Sequence, residues 1–168
     1  AGEDGFLIRS GGGAWESPSL TGYADEAALQ AILAEHPELL PGVDEPAVAC
    51  TEFESGVGPA DVVVITDAGR LVLVECKLAR NRQVRREVIG QVLDYSSRIW
   101  SMSIDDFEAR WRARTGGSAF EPFGLDASTV RAGVRTALAE GSFTLVLAVD
   151  AINDDLRRIV EYLNAVTR

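Results

Sequence analysis

Glu75 and Lys77 stand two residues apart at the end of Leu71–Lys77, a run otherwise made of Leu, Val and Cys. In a strand, side chains alternate between faces. Leu71, Leu73, Glu75 and Lys77 therefore share one face, and Val72, Val74 and Cys76 share the other. Burying an isolated carboxylate or ammonium costs several kcal/mol, so both charges need a partner. A mutual salt bridge is the simple answer. A divalent cation at the carboxylate is the answer with chemical consequences. Asp61 opens the preceding apolar run, after Gly58-Pro59-Ala60, and a turn at Asp67-Ala68-Gly69 sets it opposite Glu75 within one residue. Two carboxylates and one lysine would then share a corner. Such hard oxygen ligands suit Mg²⁺ or Mn²⁺. Without a metal, one of two close carboxylates is driven to protonate.

The positioning elements follow from periodicity. Phe6–Arg9 reads as a short strand with Gly11-Gly12-Gly13 as its turn. Gly22–His36 carries Leu29, Ile32 and Leu33 at helical spacing, and Pro37 and Pro41-Gly42 stop it. Ala47–Glu54, Asp61–Thr66 and Leu71–Lys77 read as strands, the last two as a hairpin. Val84, Val88, Val92, Tyr95 and Ile99 make an amphipathic helix over Arg82–Trp100. Further helices are expected over Ile104–Arg112, Ala127–Ala139 and Asp154–Val166, a strand over Phe143–Asp150, and a loop over Arg114–Gly124. The order is α-β-β-β-α-α-α-β-α: an α/β protein with one mixed sheet flanked by helices.

The 168 residues fit one domain, with residues 1–20 as an N-terminal extension. The start at Ala1 rather than Met reads as a fragment of a longer chain. No apolar run is long enough to span a bilayer and no signal segment opens the chain, so a cytoplasmic protein without a membrane partner is expected. Cys50 and Cys76 have neither metal-ligand nor disulfide-framework spacing and read as buried thiols. His36, the one histidine, leaves no ligands for a zinc site and reads as the decoration of a helix end. Trp100, Phe107 and Trp111 suit either base stacking or the core.

Asp61 followed by Glu75-Cys76-Lys77, on a hairpin with a helix before and another after, resembles the PD-(D/E)XK nuclease superfamily. Two further features share the resemblance. Glu26 lies on the inward stripe of the first helix with Leu29 and Leu33, where Asp25 faces elsewhere. Gln91 and Tyr95, in "GQVLDY", match the Q-x-x-x-Y element of the RecB-like branch. Ala60 between Pro59 and Asp61 departs from the family's Pro-Asp pair. The resemblance implies a restriction-endonuclease-like fold, with an αβββα core plus a later strand and helix, and Mg²⁺- or Mn²⁺-dependent phosphodiester hydrolysis. It implies Asp61, Glu75, the Cys76 backbone carbonyl and Glu26 as metal ligands. Lys77 would act on the attacking water or the developing charge, with Gln91 beside it.

The net charge of −10 argues against a nucleic-acid partner. Its distribution argues the other way: between Lys77 and Arg98 six basic residues face two acidic ones. Arg80, Arg82, Arg85 and Arg86, with Tyr95, are the expected nucleic-acid contacts. DNA is the favoured partner, with RNA, a homodimer or an additional domain left open. The competing readings are a nuclease-like module that binds without cutting and a domain whose charges merely pair.

Overall fold

The structure is a computed structural model that describes residues 9, 11–14, 22–44, 46–78 and 84–167, without the side chains of 84–86. The elements are α1 (Glu26–Glu35), a 3-10 turn (Pro37–Leu39), β1 (Ala47–Glu54), β2 (Pro59–Thr66), β3 (Leu71–Lys77), α2 (Val84–Ile99), α3 (Ile104–Thr115), a second 3-10 stretch (Glu121–Asp126), α4 (Ala127–Glu140), β4 (Phe143–Val149) and α5 (Asp154–Val166). The strand order is β1-β2-β3-β4. β1, β2 and β3 pair antiparallel and β4 pairs parallel to β3. The protein is therefore α/β, with a four-stranded mixed sheet flanked by helices.

Both faces of the central strands are covered, which is why β2 and β3 are apolar almost throughout. On one face Val62, Val64, Val72, Val74 and Cys76 meet Leu29 and Leu33 of α1. On the other, Val63, Ile65, Leu71 and Leu73 meet Ile99, Phe107, Trp111, Val130, Val134 and Leu138 of α2, α3 and α4. Phe107 and Trp111 are thus core. Trp100 is 55% exposed, with its indole N–H donated to the Ala139 carbonyl.

Several boundaries differ from the sequence reading, each for a local reason. α1 begins at Glu26, four residues later than Gly22, because extended Asp25 caps it and its carboxylate accepts the Ala28 N–H at 2.8 Å. His36 is its C-cap residue. α3 runs past Arg112 to Thr115, where Gly116 at φ 78° ends it. The expected loop Arg114–Gly124 holds a 3-10 turn whose Phe120 and Phe123 are buried in the core. Its Gly and Pro content concealed that packing. α2 is described only from Val84, so Arg80 and Arg82 lie outside the described residues, as do residues 6–8 of the short N-terminal strand. A turn is present at Gly11-Gly12, held by Arg9 donating to the Gly12 and Gly13 carbonyls. Cys50 and Cys76 are buried free thiols, and burial raises their pKa values to about 11 and about 12.

The β2–β3 turn is locked onto α4 by two glycines. Gly69 has φ 70°, and a Cβ there would stand 2.7 Å from the Val130 carbonyl oxygen. A Cβ on Gly133 would lie 2.9 Å from the Gly69 Cα and 3.0 Å from the Ala68 carbonyl oxygen. Backbone meets backbone, so neither side can yield cheaply. Gly133→Ala is expected to destabilise the fold by about 1–3 kcal/mol, read as a lowered urea midpoint with an unchanged slope.

Candidate active site

The site forms where the β2–β3 ladder ends. Paired Cα positions run from Ile65↔Leu71 to Val62↔Val74. That register places Asp61 across from Glu75, as the turn geometry predicts. Beyond Val62 the strands part from regular pairing, and the Cys76 N–H donates to Asp61 Oδ2 at 2.7 Å. A carboxylate thus replaces the next backbone acceptor. In an extended strand the N–H and C=O of one residue point the same way. The Cys76 carbonyl is therefore directed to the Asp61 side, where the resemblance requires a ligand.

A phase change in β1 and β2 shapes this end. Cys50 and Phe53, and likewise Val63 and Ala60, are three residues apart yet share one core face. Strict alternation would put each pair on opposite faces. The shift falls at Glu52, with φ 54°, and Asp61, which stand across from each other between Thr51↔Val62 and Phe53↔Ala60. Positive φ is costly for a residue with a Cβ. Glu52 adds negative potential at Asp61. The sequence reading missed it, because Ala47–Glu54 carries no local sign of the irregularity.

Glu75 is 2% exposed and its Oε2 has no hydrogen-bond partner. Desolvation, then the neighbouring Asp61 charge, pushes its pKa up to about 8, against a smaller opposing pull from Lys77. Asp61 is also raised, first by burial, with the Cys76 N–H acting against the rise. Lys77 Nζ lies 3.5 Å from Glu26 Oε2, and the Leu78 N–H donates to Glu26 Oε1 at 3.3 Å. Glu26 therefore holds the end of β3 and its lysine. Both Glu26 oxygens are thus engaged with β3.

From α2, Gln91 and Tyr95 close the site. Their side chains are hydrogen-bonded, and burial followed by the Glu75 and Asp61 charges raises the Tyr95 pKa. Gln91 Oε1 is buried without a partner, so the amide NH₂ makes the bond to Tyr95. Glu87, one turn before Gln91, adds to the negative potential at Glu75. Asp61, Glu75, Lys77, Glu26, Gln91 and Tyr95 are thus all brought together. Arg85 and Arg86 lie in the first turn of α2, and their side chains fall outside the described residues.

No protein-family model matches the chain, and comparisons with curated proteins and with solved structures give no match.

Among the described residues no three Asp, Glu, His or Cys side chains are grouped closely enough to hold one ion. The donors that remain are Asp61, Glu75 and a backbone carbonyl. That set suits Mg²⁺, which usually takes one or two carboxylates and completes its shell with water and substrate phosphate. The unpartnered Glu75 Oε2 is the atom such an ion would satisfy.

Glu75 makes stability pH-dependent with a defined sign. Its folded pKa, about 8, lies above its ordinary value of 4.5. Between these values the native state retains a proton that the unfolded chain has lost, so stability falls as pH rises. The slope approaches about 1.4 kcal/mol per pH unit at most. Urea melts of the metal-free protein from pH 5 to pH 8 are expected to show this decline. Glu75→Gln should remove most of it and be relatively more stable at pH 8.

Proposed function

We propose that this chain is a divalent-metal-dependent nuclease with a restriction-endonuclease-like core, hydrolysing phosphodiester bonds in DNA. The observation that carries the reading is the pair of buried acceptors without partners, Glu75 Oε2 and Gln91 Oε1, in a site that also holds Asp61 and Lys77. Leaving a buried acceptor unmet costs about 1–3 kcal/mol, and more for a charged one. A cation with its bound water meets both needs. Asp61, Glu75 and the Cys76 carbonyl would hold Mg²⁺ or Mn²⁺, which lowers the pKa of bound water and neutralises phosphate charge.

The chain's own residues have distinct tasks in this reading. Glu26 holds Lys77 at the end of β3, where its ammonium orients the attacking water or a non-bridging phosphate oxygen. Gln91 accepts a hydrogen bond from that water through Oε1, and Tyr95 fixes the Gln91 amide. The water oxygen forms a bond to phosphorus and gives up a proton to solvent, the bond to the leaving sugar oxygen breaks, and that oxygen takes up a proton from solvent. The net charge of −10 favours a second reading, a nuclease-like module that binds without cutting.

Two measurements separate these readings. Saturating Mn²⁺ should raise the melting temperature, because a ligand bound only by the native state adds about 2.7 kcal/mol at one hundred times its Kd. Asp61→Asn should blunt that rise. An unchanged melt in the parent protein would rule out the metal site. Lys77→Ala should reduce cleavage of labelled single- and double-stranded DNA by at least about a hundredfold, with the Mn²⁺ shift retained, since an ammonium is no ligand. Binding without cleavage under Mg²⁺ or Mn²⁺ would establish the second reading.

A further inference from the structure

We infer that Arg110 and Arg114 of α3 form a phosphate-binding track that leads a nucleic-acid strand to the Asp61–Glu75 corner. The inference rests on the nuclease reading and names the surface its substrate would occupy. The two arginines are one helical turn apart and share a face. Arg110 Nη1 donates to the Glu54 carbonyl at 2.8 Å, and Arg114 Nε donates to the Thr51 carbonyl at 2.9 Å. Those carbonyls bracket Glu52, the residue across from Asp61. Main-chain oxygens thus fix both guanidinium groups beside the irregular end of β1.

Neither arginine has a salt bridge to a described carboxylate. Other arginines do: Arg131 binds Asp105 and Glu108, Arg98 faces Asp94, and Arg157 faces Asp154. Arg9 and Arg70 likewise donate to backbone carbonyls with no carboxylate partner among the described residues, so what sets Arg110 and Arg114 apart is their place beside the irregular end of β1. Each guanidinium has five N–H donors, and the carbonyl bond uses one. Four residues of helix separate the arginines by about 6 Å along the axis, a spacing commensurate with neighbouring phosphates on one strand.

Between these arginines and the corner lies the β1–β2 tip, where Gly56 and Gly58 flank exposed Val57 and where Glu52 and Glu54 are also exposed. Arg110 Nη1 would stand 3.8 Å from a Cβ at Gly56, and a Cβ at Gly58 would stand 3.9 Å from the Tyr95 ring. The β1–β2 tip therefore lies between Arg110 and the Gln91–Tyr95 pair. A strand lying over Gly56 and Gly58 would have phosphates on the arginines at one end and at Asp61 and Glu75 at the other. Edge protection is the competing role, since the same bonds cap the outer carbonyls of β1. That role affects stability and leaves the salt dependence of binding unchanged.

The test uses the Asp61→Asn chain, so that cleavage does not interfere. Its affinity for a fluorescently labelled 20-nucleotide single strand is measured by anisotropy between 50 and 300 mM KCl (both about, as working limits). Adding Arg110→Gln and Arg114→Gln should weaken binding at least about tenfold and make the log Kd–log salt slope shallower by about 1.4. Arg135→Gln, on α4, should leave the slope unchanged. Arg114→Gln alone, at an exposed position, should give about half the change in slope, which keeps the test valid if the double variant misfolds. An unchanged slope in the folded variants overturns the track while leaving the nuclease reading intact. Inorganic polyphosphate is the competing probe: if it binds as tightly as the strand, residue for residue of charge, the site is an anion site and the track is overturned. No strand binding by the parent protein overturns the track, whereas metal-dependent melting and cleavage test the nuclease reading separately.

Discussion

Placing Glu75 at the end of a strand covered on both faces is the constraint on which the site depends. The strand must be apolar to bury its two faces, and six of its seven residues are buried. A carboxylate in that setting loses water and gains no hydrogen bond at Oε2. The fold compensates in part by bringing Lys77 close and in part by letting the carboxyl hold a proton. Neighbouring Asp61 works against that compensation. The site is therefore poised to take up positive charge.

The surrounding elements divide this task. α1 supplies Glu26, which grips Lys77 and the Leu78 N–H and so fixes the last residues of β3. α2 supplies Gln91 and Tyr95 from the opposite face. β2 ends its ladder early and gives Asp61 to the Cys76 N–H. Each contact uses an ordinary device: an ion pair, a capped ladder, a helix face. Their convergence concentrates carboxylate charge in a volume where water screens poorly.

Among the described residues of the sheet, backbone strain falls at the same end. Glu52 takes a left-handed conformation in a strand, and the phase of β1 and β2 shifts there. The remainder of the sheet is regular, and its turn is fastened to α4 through Gly69 and Gly133. A rigid far end and an irregular near end hold the acidic residues where the backbone is no longer engaged in regular pairing. In the nuclease reading, this irregular end is where a phosphate must approach the chain closely.

Much of this arrangement was legible in the residues alone. Alternation in Leu71–Lys77 placed Glu75 and Lys77 on one face, the turn at Gly69 set Asp61 across from Glu75, and helical phase turned Glu26, Gln91 and Tyr95 inward. These are local rules with short range, and β1, β3 and α5 end where the pattern says. Other features depend on residues distant in sequence. Glu26 met Lys77 because α1 packs against β3. Phe120 and Phe123 became core because α4 folds back over their loop. Glu52 joined the acidic end, and Arg110 and Arg114 reached the carbonyls on either side of it, only through the β1–β2 register and the docking of α3. The sequence by itself determined which residues carry charge and which face each one takes within its own element. The tertiary structure decided which charges meet, because electrostatic partners are set by the packing of elements that no local period relates.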